Sequence, residues 1–205
     1  MKKALKFLLI LSIFSLLAPG AQAQTAQEVL NKAAAKIKGA SSVTADFKMN
    51  ISGRACNGKL VAKGNKFAMT SNVGSSWYNG SDMYSYNPST GETTVMKPSA
   101  SELMEANPLM YARSSENYTA SFSKQKTAGK HTIYLVPKKK NSGLKNVMMV
   151  LNASTFLPEK IVVTPTSGSA ITVNVSNLKL NAAVSDSQFT YPKSKYPKAK
   201  IIDLR

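Results

Sequence analysis

The chain has 205 residues, one cysteine, one histidine and a net charge of +17, from 27 lysine and arginine residues against 10 acidic ones. Apolar residues make up 43% of the chain, which is typical of a folded protein rather than a disordered one. A single cysteine excludes a disulfide within the chain, and a single histidine leaves little room for a multi-histidine metal site or a histidine-based catalytic relay.

Residues 1–23 have the pattern of a secretory signal peptide. Three lysines within the first six residues precede an apolar run at 7–18, and Ala21-Gln-Ala23 is a small-x-small cleavage site. The apolar run is too short for a comfortable transmembrane helix. Cleavage after Ala23 removes 23 of the 205 residues and the three lysines, so the net charge falls from +17 to +14. The pattern predicts an exported protein of a bacterial periplasm.

Residues 25–38 are predicted to form an amphipathic helix that ends near Gly39. Thr25 and Glu28 have the spacing of a capping box. Apolar residues at i, i+3, i+4, i+7, i+8 and i+11 fall on one helical face; they are Ala26, Val29, Leu30, Ala33, Ala34 and Ile37.

From residue 43 the apolar period changes to two, which indicates strands. Turn signals such as Asn79-Gly80 separate the strands, and the short connections predict an antiparallel sheet. The predicted strands are 43–51, 58–63, 66–72, 75–79, 83–87, 92–97, 116–123, 131–137, 146–152, 159–165, 170–178 and 188–191.

Two short helical segments, 99–106 and 108–113, interrupt the strands. Ser99 and Glu102 repeat the capping-box spacing, and Pro108 disfavours a helical conformation at the residue before it. The tail at 192–205 is rich in lysine and proline and is expected to be loosely attached. Neither a repeat nor a domain boundary is visible, so residues 24–205 are predicted to form a single domain.

Several strands are apolar on both faces, as where Ile133 and Leu135 alternate with Tyr134 and Val136. Such strands need cover on both faces, and two short helices cannot cover one face of a sheet of about twelve strands. The predicted fold class is therefore mainly β, with a curved, open and incomplete antiparallel barrel covered by short helices. Periodicity leaves open whether its concave side is filled by side chains or left as a cavity.

Five short motifs, in order, resemble the LolA family of periplasmic outer-membrane lipoprotein carriers. The resemblance covers nearly the whole chain after the leader and is closest to the divergent LolA-like proteins of Bacteroidetes. The motifs are an early strand pair at 58–67 (GKLVAKGNKF), a hairpin at 79–88 (NGSDMYSYNP), a lid helix at 107–112 (NPLMYA), and strand ends at 135–138 (LVPK) and 189–192 (FTYP).

This resemblance implies a half-barrel of the LolA and LolB kind with an α-helical lid. It implies a carrier, without enzymatic activity or a cofactor, that shields the acyl chains of lipoproteins between the inner and outer membranes. Its expected partners are acylated lipoproteins, an inner-membrane lipoprotein-releasing ABC transporter and an outer-membrane acceptor, and a monomer is expected. The family typically has an arginine in the early hairpin that hydrogen-bonds to the lid, whereas residues 63–66 (KGNK) contain none.

Ten residues are candidates for the lining of a lipid cavity. They are Phe47, Met49, Phe67, Met69, Trp77 and Tyr86 from the sheet, and Leu103, Met104, Leu109 and Met110 from the lid. Methionine suits such a lining because its side chain is flexible and polarizable. The alternatives are an ordinary filled core in a periplasmic structural or sensory domain, and a carrier of another lipid.

Cys56 and His131 are the only candidates for a thiol–imidazole nucleophile pair, but they are 75 positions apart and neither lies in a catalytic motif. Cys56 is expected in a turn-like segment at 53–58, and His131 at a solvated strand end. No metal site is predicted. Lysines at 138–140 and in the tail are expected on a solvated surface. The export signal argues against a nucleic-acid partner, and transient contact with an anionic membrane surface is the functional alternative.

Overall fold

Our computed structural model describes residues 24–51 and 54–205, and the predicted leader at 1–23 lies outside the described residues. Three α-helices are present in this part of the chain: α1 Ala26–Gly39, α2 Ala100–Ala106 and α3 Leu109–Arg113. The strands are β1 Val43–Ile51, β2 Arg54–Lys63, β3 Lys66–Ser71, β4 Ser75–Tyr78, β5 Met83–Asn87, β6 Glu92–Met96, β7 Tyr118–Phe122, β8 Lys130–Pro137, β9 Leu144–Asn152, β10 Pro158–Pro165, β11 Ile171–Leu180 and β12 Lys200–Asp203.

All these strands form one open sheet in the order β12-β6-β5-β4-β3-β2-β1-β11-β10-β9-β8-β7. Every neighbouring pair is antiparallel except β12 and β6, which run parallel. The mainly β, open and antiparallel fold predicted from the sequence is confirmed.

Helix α1 begins at the predicted capping box. The backbone N–H of Glu28 donates to Thr25 Oγ1 at 3.2 Å, and the Thr25 N–H donates to Glu28 Oε2 at 2.8 Å. The whole predicted apolar stripe is buried. Gln27 of the same helix accepts a hydrogen bond from Ala120 N on β7 at 3.1 Å, so α1 also protects a backbone donor of the edge strand.

The sheet has an inner face, which carries α1 and α3, and an outer face. The main core lies on the inner face, where Val29 and Leu30 of α1 are buried with Phe47, Ile133 and Met149 of the strands. Ser85 on β5 and Val163 on β10 border one cavity, although six strand-to-strand steps separate them. Since six steps of about 4.8 Å would span about 29 Å in a flat sheet, this sheet is strongly curved.

The expectations for the C-terminal region were wrong. Residues Asp186–Phe189 form a 3₁₀ turn rather than a strand, and the tail after residue 192 is attached through β12. The reason is that Phe189 and Tyr191 are buried on the outer face against Trp77 and Ala68. Four tail residues then pair with β6.

Three other expectations need correction. Cys56 lies within β2 and is buried, not in a turn. Residues Ser115–Asn117 form a 3₁₀ turn before β7 begins at Tyr118. Cover on both faces is not general. The tail, taken from here on as residues 181–205 after β11, packs over β2 to β6, whereas Tyr134 and Val136 on the outer face of β8 are 37% and 51% exposed.

Candidate functional site

A cavity of about 1190 Å³ lies between the inner face of the sheet and the segment that carries α2 and α3. The concave side of the sheet is therefore not wholly filled by side chains. Strands from both halves of the sheet contribute to its wall, and Met104 and Tyr111 contribute from the two helices. The curvature of the sheet thus creates the cavity.

One wall of the cavity is apolar. Met49 of β1 and Val173 of β11 face each other in register, and Ile171 of β11 pairs with Val163 of β10. All four residues border the cavity, together with the buried thiol of Cys56. Ile171 is 44% exposed, so an isoleucine side chain is open to the cavity without a covering group.

A second wall, formed by β4, β5 and β6, carries hydroxyl groups. Ser76, Ser85 and Thr94 border the cavity and are half-buried. The hydroxyl oxygens of Ser76 and Ser85 are 3.1 Å apart.

The rim of the cavity carries charged groups. Lys138 and Lys139 project from the turn between β8 and β9, and Glu105 and Glu116 come from the helical segment. Lys38 Nζ lies 3.0 Å from Glu116 Oε2. The pKa of Glu116 is lowered first by its own backbone N–H and then by Lys38, so this carboxylate stays charged at neutral pH.

The two helices of the lid differ in how firmly they are packed. Helix α3 buries Leu109, Tyr111 and Ala112, whereas α2 buries no residue completely. The hydroxyl of Tyr118 donates to Met104 Sδ on α2 at 3.6 Å. Burial raises the pKa of Tyr111 to about 12, so its phenol remains neutral beside the cavity. Helix α3 therefore anchors the lid, and α2 is its more exposed part.

An arginine of the lid hydrogen-bonds to the early hairpin. In the family pattern the arginine lies in the hairpin and hydrogen-bonds to the lid. Arg113, the last residue of α3, donates from Nη1 to the carbonyl oxygen of Gly64 in the turn between β2 and β3. Gly64 has φ +59°, a conformation that glycine adopts at little cost. The sequence placed Arg113 at a helix end but gave no indication of this contact.

Four of the ten candidate lining residues border the large cavity: Met49, Met69, Tyr86 and Met104. Phe47 and Phe67 lie in the inner core, and Leu103 packs against that core. Leu109 and Met110 border a separate pocket of about 40 Å³ beside α1.

The rings of two candidates, Trp77 and Tyr86, project to the outer face. Trp77 packs against Tyr191 of the tail, with ring centroids 5.5 Å apart, which corrects the expectation that it lines the cavity. Tyr86 borders the cavity, but its ring lies 4.1 Å from that of Tyr196 on the outer face. These residues are directed outward because β4 and β5 place Tyr78 and Met83 toward the inner core.

Sequence reasoning missed the apolar wall residues Val163, Ile171 and Val173. Their alternation within the predicted strands 159–165 and 170–178 was the available signal. It did not distinguish a cavity from a filled core, because both require an apolar inner face.

Cys56 and His131 do not form a nucleophile pair. Their strands, β2 and β8, are separated by four others in the sheet. The His131 ring instead stacks on Phe156 at 5.7 Å. Across residues 24–51 and 54–205, no group of three or more metal-ligating side chains is found. No helix in those ranges has the length and apolar character needed to cross a membrane.

Comparison with solved structures finds similar chains at low sequence identity. An uncharacterized conserved protein from Thermus thermophilus is 12% identical, with a TM-score of 0.59 over 88% of this chain and 99% of that chain, and supports the fold alone. A putative outer membrane lipoprotein-sorting protein domain from Vibrio parahaemolyticus is 15% identical, with a TM-score of 0.47 over 84% of this chain and 98% of that chain. A LolA superfamily protein from Nitrosomonas europaea is 15% identical, with a TM-score of 0.44 over 82% and 99%.

The sequence comparison is more specific than the fold comparison. No curated protein matches the chain. However, the family described as "Outer membrane lipoprotein carrier protein LolA" matches residues 15–168, well over half of the chain. The matched region includes α1, the lid and the strands β1 to β10, and therefore most of the cavity wall. The chain belongs to the LolA family of outer membrane lipoprotein carrier proteins.

Proposed function

We propose that this protein is a periplasmic carrier that holds the acyl chains of lipoproteins in its cavity and ferries them from the inner to the outer membrane. The observation that carries the proposal is the cavity of about 1190 Å³ under a helical lid. A cavity of about 150 Å³ lined by apolar side chains suffices for benzene, and ligand pockets commonly measure about 300–1,000 Å³. This cavity is therefore large enough for a long-chain ligand.

The physical basis of such binding is apolar burial. Each CH₂ group removed from water contributes about 0.8 kcal/mol, so about fifteen buried groups contribute about 12 kcal/mol before the costs of association. Met49, Met69 and Met104 border the cavity, and their flexible side chains can adapt to chains of different length. Shielding of this kind requires no covalent chemistry, and we propose that the protein is not an enzyme and uses no cofactor.

The cellular setting belongs to the same proposal. The leader is removed after Ala23, and residues 24–205 act in the periplasm as one monomeric lipid-binding domain. An inner-membrane lipoprotein-releasing ABC transporter supplies the acylated lipoprotein, and an outer-membrane acceptor receives it. The positive charge favours transient contact with anionic membrane surfaces rather than nucleic acid, which an exported protein does not meet. A structural or sensory domain would not need a cavity of this size.

A charge placed in the cavity tests the proposal. Ile171→Glu introduces a carboxylate at a cavity position that is 44% exposed, so the fold tolerates it. Val136→Glu is the matched control, since Val136 is 51% exposed on the outer face. A triacylated lipopeptide should displace a fluorescent fatty-acid probe from the native protein and from Val136→Glu, but bind at least tenfold more weakly to Ile171→Glu. Equal lipopeptide affinity in all three proteins, or no binding to any of them, would contradict the proposal.

A further inference from the structure

Three hydroxyl groups form a continuous row across the second wall of the cavity. Ser76 on β4 pairs in register with Ser85 on β5, and Ser85 pairs with Thr94 on β6. On the other side, Ser76 pairs with Met69 of β3, which also borders the cavity. Because residues paired across neighbouring strands project to the same face, the three hydroxyls all face the cavity.

These hydroxyls retain donors that the protein does not use. Ser76 and Ser85 share one hydrogen bond of 3.1 Å, which employs one of their two O–H groups. For Thr94, the described part of the chain supplies no side-chain hydrogen bond. At least two hydroxyl donors in the row are therefore available to a ligand.

Two other serines at the cavity, Ser71 and Ser99, are engaged locally. Ser71 Oγ donates to the carbonyl oxygen of Gly74 at 2.6 Å and accepts from two backbone N–H groups of the same turn at 3.2 Å. Ser99 Oγ donates to Glu102 Oε2 at 2.7 Å within the capping box of α2. The row on β4, β5 and β6 thus differs from them because it has no turn or cap to stabilise.

The hydroxyl row is unfavourable for binding a ligand made only of hydrocarbon. The wall formed by Val163, Ile171 and Val173 suits an acyl chain, but a hydroxyl donor covered by hydrocarbon loses its hydrogen bonds to water without replacement. A ligand with carbonyl acceptors at the row would restore those bonds. Neighbouring strands are about 4.8 Å apart, so adjacent hydroxyls can each serve one of two esters on a glycerol backbone.

We propose that Ser76, Ser85 and Thr94 bind the ester carbonyls of the ligand, and that the cavity selects lipids with ester-linked chains over those with ether-linked chains. The chains then lie against the apolar wall, and the glycerol backbone lies against the hydroxyl row. This inference rests on the proposed function and deepens it by naming the chemical linkage that is recognised.

The experiment compares two lipids with the same head group and chain length, one a diester and the other a diether, in displacement of the same fluorescent probe from the protein lacking residues 1–23. The native protein should bind the diester about tenfold more tightly, as expected for two additional hydrogen bonds. The triple variant Ser76→Ala, Ser85→Ala, Thr94→Val should lose this preference and keep its affinity for the diether, which shows that its cavity is intact. The control Thr132→Val, Thr172→Val removes hydroxyls from the outer face and should keep the preference.

Equal affinity of the native protein for both lipids would overturn the inference and leave the carrier function standing. The same holds if the triple variant binds the diether normally and still prefers the diester. Binding of neither lipid by the native protein would contradict both the carrier function and the inference.

Discussion

Among single residues, Gly58 has the least space for a side chain. It lies on β2 opposite Phe47 of β1 and Ser71 of β3. A methyl group there would overlap the carbonyl oxygen of Thr70 and lie 2.8 Å from Phe47 Cζ. The glycine is therefore required by the close approach of a backbone atom and by the phenylalanine that packs over it.

Gly58→Ala should lower the free energy of unfolding by about 2 kcal/mol or more, because the strands must separate or Phe47 must leave its position. Gly39→Ala at the end of α1 is the matched control, since a methyl group there has no neighbour within 4 Å. Urea unfolding followed by circular dichroism measures both. If Gly58→Ala were as stable as Gly39→Ala, the space around Gly58 and Phe47 would have to be large enough for a methyl group.

Thr93 is a second residue whose buried position requires a specific partner for its side chain. It is fully buried on β6, and its hydroxyl donates to the hydroxyl oxygen of Tyr191 at 3.0 Å. Tyr191→Phe should cost about 1–2 kcal/mol of unfolding free energy, because the Thr93 donor is left without an acceptor. Tyr84→Phe, whose ring stacks on Tyr191 at 5.4 Å, should cost less than half as much. Equal losses in thermal unfolding would show that the hydrogen bond between Thr93 and Tyr191 does not stabilise the attachment of the tail.

Among the elements, the C-terminal tail is attached by both apolar and ionic contacts. Asp186 lies 2.9 Å from Lys63 Nζ and 3.7 Å from Lys66 Nζ in the early hairpin. The hydrogen bond from Lys63 is the main cause that lowers the pKa of Asp186 below its ordinary 3.8. A lowered pKa in the folded state means that this carboxylate contributes stability above about pH 4, and that the contribution is lost as the pH falls through the folded-state pKa.

Asp186→Asn should therefore reduce the acid sensitivity of tail attachment. The fluorescence of Trp77, the sole tryptophan, reports on the tail because the ring packs on Tyr191 and Tyr196. Between pH 5 and pH 3, the loss of unfolding free energy measured by this fluorescence should be smaller in Asp186→Asn than in the native protein. An identical pH dependence in the two proteins would show that Asp186 does not contribute to the acid sensitivity of tail attachment.

Arg113 connects the lid to the early hairpin through a polar contact. Arg113→Ala removes the hydrogen bond to the Gly64 carbonyl, so α3 should release more easily. The dissociation rate of a bound fluorescent fatty acid, measured by stopped flow, should rise about fivefold, as expected for the loss of one charge-assisted hydrogen bond at a half-exposed site. Lys97→Ala, which removes a positive charge just before the lid, should leave the rate unchanged. Equal rates for Arg113→Ala and the native protein would show that this contact does not hold the lid.

Most elements could be predicted from the sequence because their periodicity is strong. The stripe from Ala26 to Ile37 and the alternation from Val43 to Ile51 each specify one buried face. The facing of Trp77 could not be predicted, since Trp77 and Tyr78 are both large and aromatic and β4 has only four residues. The attachment of the tail was also hidden, because the two-residue spacing of Phe189 and Tyr191 indicates a strand, whereas both side chains are buried on the outer face from a segment that pairs with no strand in the described part of the chain.

The candidate site was predictable only in part. The alternation of apolar residues placed Met49 and Met69 on the inner face, and the capping box placed Met104 on a helix above it. The size of the cavity depends on how strongly twelve strands curve together, which no local pattern specifies. The contact of Arg113 with Gly64 joins residues 49 positions apart and likewise has no local signal.

At the scale of the whole molecule, the open edge of the sheet determines what the protein can do. The described strands β7 and β12 are the two ends of the sheet and do not pair with each other. The inner face therefore has an open side, and α2 and α3 lie over it. A closed barrel would bury the same apolar wall permanently, whereas an open side is what the proposed carrier function requires for a long ligand to enter and leave.

Native mass spectrometry of the protein isolated from the periplasm without detergent shows whether the cavity holds acyl chains. We expect a bound species that releases fatty acyl groups on fragmentation. That species should be present in the native protein and in Val136→Glu, and lost from the double variant Met104→Glu, Ile171→Glu, whose changed residues both border the cavity. Finding only ligand-free protein in the native sample, or acyl groups still bound to the double variant, would contradict the proposal that the cavity holds acyl chains.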